Sequence, residues 1–179
     1  MLFHPMRFRT LVFCAAVLSA CLVSAACSDI SAPEVRTYGM GDRIELGKLV
    51  YNVIETRWLP QIGEGPTARI PRDRFLMLRM SIGNSGAGEL LIPNLTLEGD
   101  KGDTYPQLSD GNGVPQFLGP LRPVTTAESA SGNILFDAPA AHYKLRISDE
   151  TGRRTALVDI PLAFRSETPD IPPPGAESK

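Results

Sequence analysis

The stretch Phe75–Asn84 reads FLMLRMSIGN, and its alternation decides the fold class. Leu76, Leu78, Met80 and Ile82 fall on one side of an extended chain, with Arg79 and Ser81 on the other. That period of two is the mark of a half-buried strand. Wound into a helix, the same residues would set Arg79 inside a broad apolar face. Residues 142–148, HYKLRIS, repeat the pattern, with Tyr143, Leu145 and Ile147 inward and His142, Lys144, Arg146 and Ser148 outward. Residues 49–58, LVYNVIETRW, are rich in β-branched and aromatic side chains, which suit a pleated surface. The run Asn133-Ile134-Leu135-Phe136 and residues 154–162, RTALVDIPL, add two more strands.

Turns punctuate these runs. Residues 35–38 and 43–46 flank Gly39-Met40-Gly41-Asp42. Residues 89–98, ELLIPNLTLE, place Leu91, Leu95 and Leu97 on one side, and Pro93 marks an edge or bulged strand. A turn over residues 99–103 leads to a short strand over 104–108. Residues 109–123 form a long loop with Asp110-Gly111-Asn112-Gly113 at its tip, and Asp149-Glu150-Thr151-Gly152 is a hairpin turn. The result is seven to nine short strands uninterrupted by a long amphipathic helix. It predicts an all-β chain folded as an antiparallel β-sandwich, with a closed barrel as the alternative. Composition agrees: Gly and Pro together supply 32 of 179 residues, which disfavours a helical bundle. Apolar residues reach 42 %, enough for a core. Alternation predicts Leu78, Met80, Ile82, Leu97, Phe136, Leu145, Ile147 and Val158 within it.

The chain begins MLFHPMRFRTLVFCAAVLSACLVSAACSDI. Arg7 and Arg9 precede an apolar run with small residues at its end, the organisation of an export signal. Leu18-Ser19-Ala20-Cys21 resembles the lipobox of bacterial lipoproteins, in which the cysteine becomes the acylated first residue. Ser24-Ala25-Ala26-Cys27 is the alternative, and a plain secretory signal with incidental cysteines is a third reading. The division is then a lipoprotein-type signal over 1–20, a tether over 21–37, the sandwich over 38–165, and a disordered Pro-rich tail over 166–179. Cys14, Cys21 and Cys27 all precede the sandwich, which has no disulfide available to it. The net charge is −2, and loss of Arg7 and Arg9 on cleavage makes it −4, a balance in which nothing suggests a nucleic-acid partner.

Four segments carry a family resemblance. They are residues 47–53 (GKLVYNV), residues 76–86 (LMLRMSIGNSG) with Asn84-Ser85 near the end, residues 95–105 (LTLEGDKGDTY) and residues 132–139 (GNILFDAP). In this order they resemble the uncharacterised immunoglobulin-like domains of bacterial surface lipoproteins, which are grouped with secreted mycobacterial immunogenic antigens. The resemblance spans about residues 38–162. It implies an immunoglobulin-like sandwich and an exported location facing the periplasm or cell surface, and it supplies no catalytic residues.

Chemistry is sparse. The two histidines are His4, in the signal, and His142, on an outward strand position, so a Ser-His-Asp or His-rich zinc site would rest on His142 alone. The sequence points to no enzyme and no cofactor. Glu98, Asp100 and Asp103 share one turn and form a candidate calcium site, although Asp and Gly also suit a turn on backbone grounds alone. The candidate partner-binding segment is residues 59–74, LPQIGEGPTARIPRDR, too long for a simple hairpin turn. It joins Trp58, Ile62, Arg69, Ile70, Arg72 and Arg74, apolar area beside directional cations, as protein contacts favour. The function expected is a lipid-anchored envelope module with an envelope protein as partner. A structural envelope protein and a small hydrolase are the alternatives.

Overall fold

The structure, a computed structural model, describes residues 35–162. The expected signal, both candidate lipidation cysteines and the Pro-rich tail lie outside the described residues. Eleven strands occur within them: β1 Thr37–Tyr38, β2 Ile44–Leu46, β3 Leu49–Leu59, β4 Phe75–Asn84, β5 Leu90–Leu91, β6 Thr96–Gly99, β7 Thr104–Pro106, β8 Pro123–Val124, β9 Ser129–Asp137, β10 Tyr143–Ser148 and β11 Thr155–Ile160. Nine build two main sheets, ordered β1-β11-β10-β6-β7 and β2-β3-β4-β9, while β5 and β8 pair as a separate ribbon. The chain crosses between sheets after β1, after β4, after β7 and again after β9, and the last three crossings give the Greek-key connectivity of an immunoglobulin-like sandwich. The β5–β8 ribbon ties the crossovers after β4 and after β7 together.

Alternation places the core as expected. Leu76, Leu78, Met80 and Ile82 are fully buried, as are Leu97, Phe136, Leu145, Ile147 and Val158. Two readings need correction. Residues 35–38 and 43–46 are not a hairpin: β1 joins the sheet of β11 and runs parallel to it, while β2 pairs with β3 in the other sheet. Thr37, assigned to the tether by sequence, is already in this ladder, so the sandwich starts one residue early. Residues 89–98 are also not one strand. Pro93, without an amide proton, separates β5 from β6, and Leu91 turns to solvent while Leu95 and Leu97 stay buried.

One end of the β2-β3-β4-β9 sheet is covered on both faces. Phe75 and Leu135 occupy outward positions, yet they are buried with Ile62 and Val114 in a second, smaller cluster. The cover comes from residues 60–74 and from the loop after β7. That loop also lines the free edge of β9, where Leu118 N–H donates to the Asn133 carbonyl and Asn133 N–H to that of Gln116. Gly132 permits the close approach, because a side chain there would run into the Gln116 carbonyl.

Candidate functional site

Trp58 follows β3 inward rather than reaching out. Its ring packs on the main core, tilted against Tyr143 with centroids 6.3 Å apart, and Tyr105 meets Tyr143 edge-on at 5.6 Å. The three rings close one end of the sandwich. The indole Nε1 is buried with no hydrogen-bond partner among the described residues.

The segment between β3 and β4 folds back on itself. Ile62 and Arg69 exchange two backbone hydrogen bonds of 3.0 and 2.8 Å, and a 3-10 turn at Gly65–Thr67 closes the tip. Ile62, expected to reach a partner, instead enters the smaller core cluster. Arg69 lies over the Phe75 ring at 5.5 Å and donates to the carbonyls of Asn112 (2.7 Å) and Asp110 (3.3 Å). Its guanidinium also pairs with the Asp110 carboxylate at 3.3 Å. It is a brace between two loops. The Asp137 carboxylate accepts the backbone N–H of Arg72 (2.7 Å) and of Asp73 (2.9 Å). The Arg74 carbonyl accepts Ala138 N–H, and its side chain is half-buried. Of the six residues read as a contact group, Ile70 (70 % exposed) and Arg72 face solvent, on a segment fixed at both flanks.

The calcium candidates are drawn apart. Glu98 accepts from Arg146 Nε, and Asp100 faces His142 Nδ1 at 3.6 Å. Among the described residues no three His, Cys, Asp or Glu side chains converge to hold a metal ion. His142 Nε2 lies 2.7 Å from Asp159, so both ring nitrogens of this half-exposed histidine face carboxylates rather than a nucleophile.

Sequence reading missed the outward face of the β2-β3-β4-β9 sheet as a surface. A shallow cleft of about 560 Å³ opens there, lined by Arg43, Asn52, Ser81, Glu128 and Ser129 among others. Its floor is bare because ladder neighbours are small: Gly83 beside Ser129, and Ser81 beside Ser131. The signal was present in the outward serines of β4 and β9, which alternation marked only as solvent positions.

No family model matches the chain, and no curated protein matches it. Several solved structures share its fold. MPT63, a secreted protein from Mycobacterium tuberculosis, aligns at a TM-score of 0.54 and 12 % identity, covering 72 % of this chain and 99 % of that one. The yjhA protein from Bacillus subtilis aligns at 0.52 and 14 % identity, covering 69 % and 98 %. A functionally unknown protein from Listeria monocytogenes aligns at 0.54 and 12 % identity, covering 68 % and 82 %. These likenesses carry the sandwich fold.

Proposed function

We propose that the chain is an exported, lipid-anchored protein of the bacterial envelope, and that its sandwich is a non-enzymatic interaction module. Export is supported by the Arg7/Arg9 and apolar leader pattern, and by the secreted character of MPT63, which has the same fold. The anchor is Cys21, after Leu18-Ser19-Ala20, with Cys27 as the alternative acceptor. The observation that carries the interaction reading is Ile70: a branched apolar side chain 70 % exposed on a segment clamped by Arg69 and Asp137. A pre-ordered loop presents such a group at little entropic cost. Arg72 beside it supplies a cation for an envelope protein partner.

Two measurements test this. The intact mass of the membrane-extracted chain should correspond to cleavage before Cys21 plus a diacylglyceryl group, lost in Cys21→Ala and kept in Cys27→Ala. A soluble, unmodified product overturns the anchor. A photocrosslinking side chain at position 70 should give one discrete adduct in envelopes, and the same group at position 101 should give none. Identical patterns from both positions overturn the contact surface.

A further inference from the structure

The edges of the β2-β3-β4-β9 sheet are treated unequally. The β9 edge is lined by residues 116–118. At the other edge, β2 pairs only with Leu49, Val50 and Tyr51, and Gly41 N–H reaches the Val53 carbonyl. Beyond Val53, β3 continues to Leu59 with β4 on one side and no strand on the other among the described residues. A register shift between Val53 and Glu55 leaves Ile54 without a partner in the β4 ladder, and its side chain is 52 % exposed.

Free strand edges invite another strand, and charges on them usually repel it. Here the charges have the opposite effect for one partner. We propose that β3 of a second copy of this chain pairs antiparallel with β3 about a two-fold axis at Thr56. The segment Ile54-Glu55-Thr56-Arg57-Trp58 is self-complementary in that register. Glu55 of each copy lies opposite Arg57 of the other, Thr56 opposite Thr56, and Ile54 opposite Trp58. Glu55 and Arg57 already pair within one chain at 3.2 Å, both about half exposed, so the second copy extends a local pair into a two-by-two square of four alternating charges. Opposite charges across a strand pair are favourable and like charges unfavourable. A parallel partner would set Glu55 against Glu55 and Arg57 against Arg57. Residues 166–179 of the same chain are a poor occupant, because their four prolines cannot donate to a ladder. The joined sheets form one eight-stranded sheet across the dimer, through an isologous contact at the small end of interface sizes.

Charge reversal with mixing tests this on the full chain in neutral detergent, by sedimentation over a concentration series. The unmodified chain associates to dimers as concentration rises. Glu55→Arg alone and Arg57→Glu alone each place like charges opposite twice, and each weakens self-association roughly tenfold or more while melting stays unchanged. An equimolar mixture of the two variants recovers the dimer, since every opposition between the copies is again acid to base. Mixing cannot restore the pair inside either chain, so recovery isolates contact between copies. In a chain with Cys14, Cys21 and Cys27 replaced by Ser, Thr56→Cys forms an intermolecular disulfide on oxidation, because the axis brings the two Cβ atoms within reach. A monomeric unmodified chain at all concentrations, a mixture no more associated than its components, or an absent cross-link overturns the proposal.

Discussion

The hydroxyl of Tyr51 on β3 donates to the carbonyl of Ser148 on β10 at 2.8 Å, joining the two sheets through the core. The residues are 97 apart in sequence, and Tyr51 is fully buried. Burial, reinforced by the nearby charges of Asp149 and Glu150, pushes its phenol well above the usual range. Burial also raises Tyr143, to about 12, with Tyr105 adding to the effect, and its hydroxyl donates to the Pro139 carbonyl.

Alkaline stability follows from this. Both phenols keep their protons more tightly folded than unfolded, so their contribution is complete below about pH 10, where free tyrosine titrates. It drains as pH rises from there through the folded values. Melting temperature should hold to about pH 10 and then fall, with tyrosinate absorbance appearing alongside unfolding. Tyr51→Phe should cost about 1–2 kcal/mol at neutral pH, by orphaning the Ser148 carbonyl, and should flatten the alkaline limb. Tyrosinate absorbance at full amplitude near pH 10 in the folded protein would contradict this.

On the acid side the relevant group is Asp149, 4 % exposed at the β10–β11 turn. Burial pushes its carboxyl up, but the Thr151 hydroxyl and the backbone around Arg154, Arg153 and Thr151 outweigh it, and the net shift is downward. A depressed carboxyl stabilises the fold above about pH 4 and loses that contribution as pH falls through its folded value. Asp149→Asn should lower melting at pH 7 and lessen the drop between pH 5 and pH 2. Parallel acid profiles for the two proteins would count against the assignment.

Asn84 is buried at the end of β4, where its amide donates to the carbonyls of Gly88 (2.7 Å) and Val124 (2.9 Å) and accepts from Gly86 N–H (2.7 Å). Three backbone groups of two crossovers depend on one side chain. Asn84→Leu keeps the branching and heavy-atom count of the side chain and orphans all three, at roughly 2–4 kcal/mol. Urea unfolding should show the midpoint drop with little change in slope, and an unchanged midpoint would mean the crossovers find other partners.

The arginines between β3 and β4 should separate by role. Arg69→Ala removes the brace to Asp110 and Asn112 and the cover over Phe75, and should cost about 1–2 kcal/mol. Arg72→Ala, whose backbone rather than side chain holds Asp137, should stay within about 0.5 kcal/mol. Equal thermal shifts in the two variants would refute this division.

The inward half of the sandwich was legible because alternation is a direct record of a strand with one wet face. It identified Leu76 through Ile82 on β4, and Tyr143, Leu145 and Ile147 on β10. The candidate contact group was less legible. Ile62 and Ile70 look alike in sequence, and only the fold-back between Ile62 and Arg69 sends one into a core and leaves the other in solvent. Arg69 reads as a free cation until the loop tip 43 residues away arrives beside it. The register of β1 against β11 is a long-range pairing that no local pattern encodes. Phe75 and Leu135 did leave a trace: apolar residues at outward positions call for a cover, and the alternation read only the inward series.

That cover makes this end of the molecule three layers deep. Ile62 from one loop and Val114 from another rest on the same outward pair, Phe75 and Leu135, and Arg69 bolts the loops together above them. Neither loop can lift without stripping apolar contacts from the other. Their amides should therefore behave as one cooperative opening unit, and hydrogen exchange should find them at a common rate slower than surface loops of this length would show alone. Ile70 and Arg72 ride on that unit, so the contact proposed for them would be made by a platform rather than by a fluctuating strand of chain.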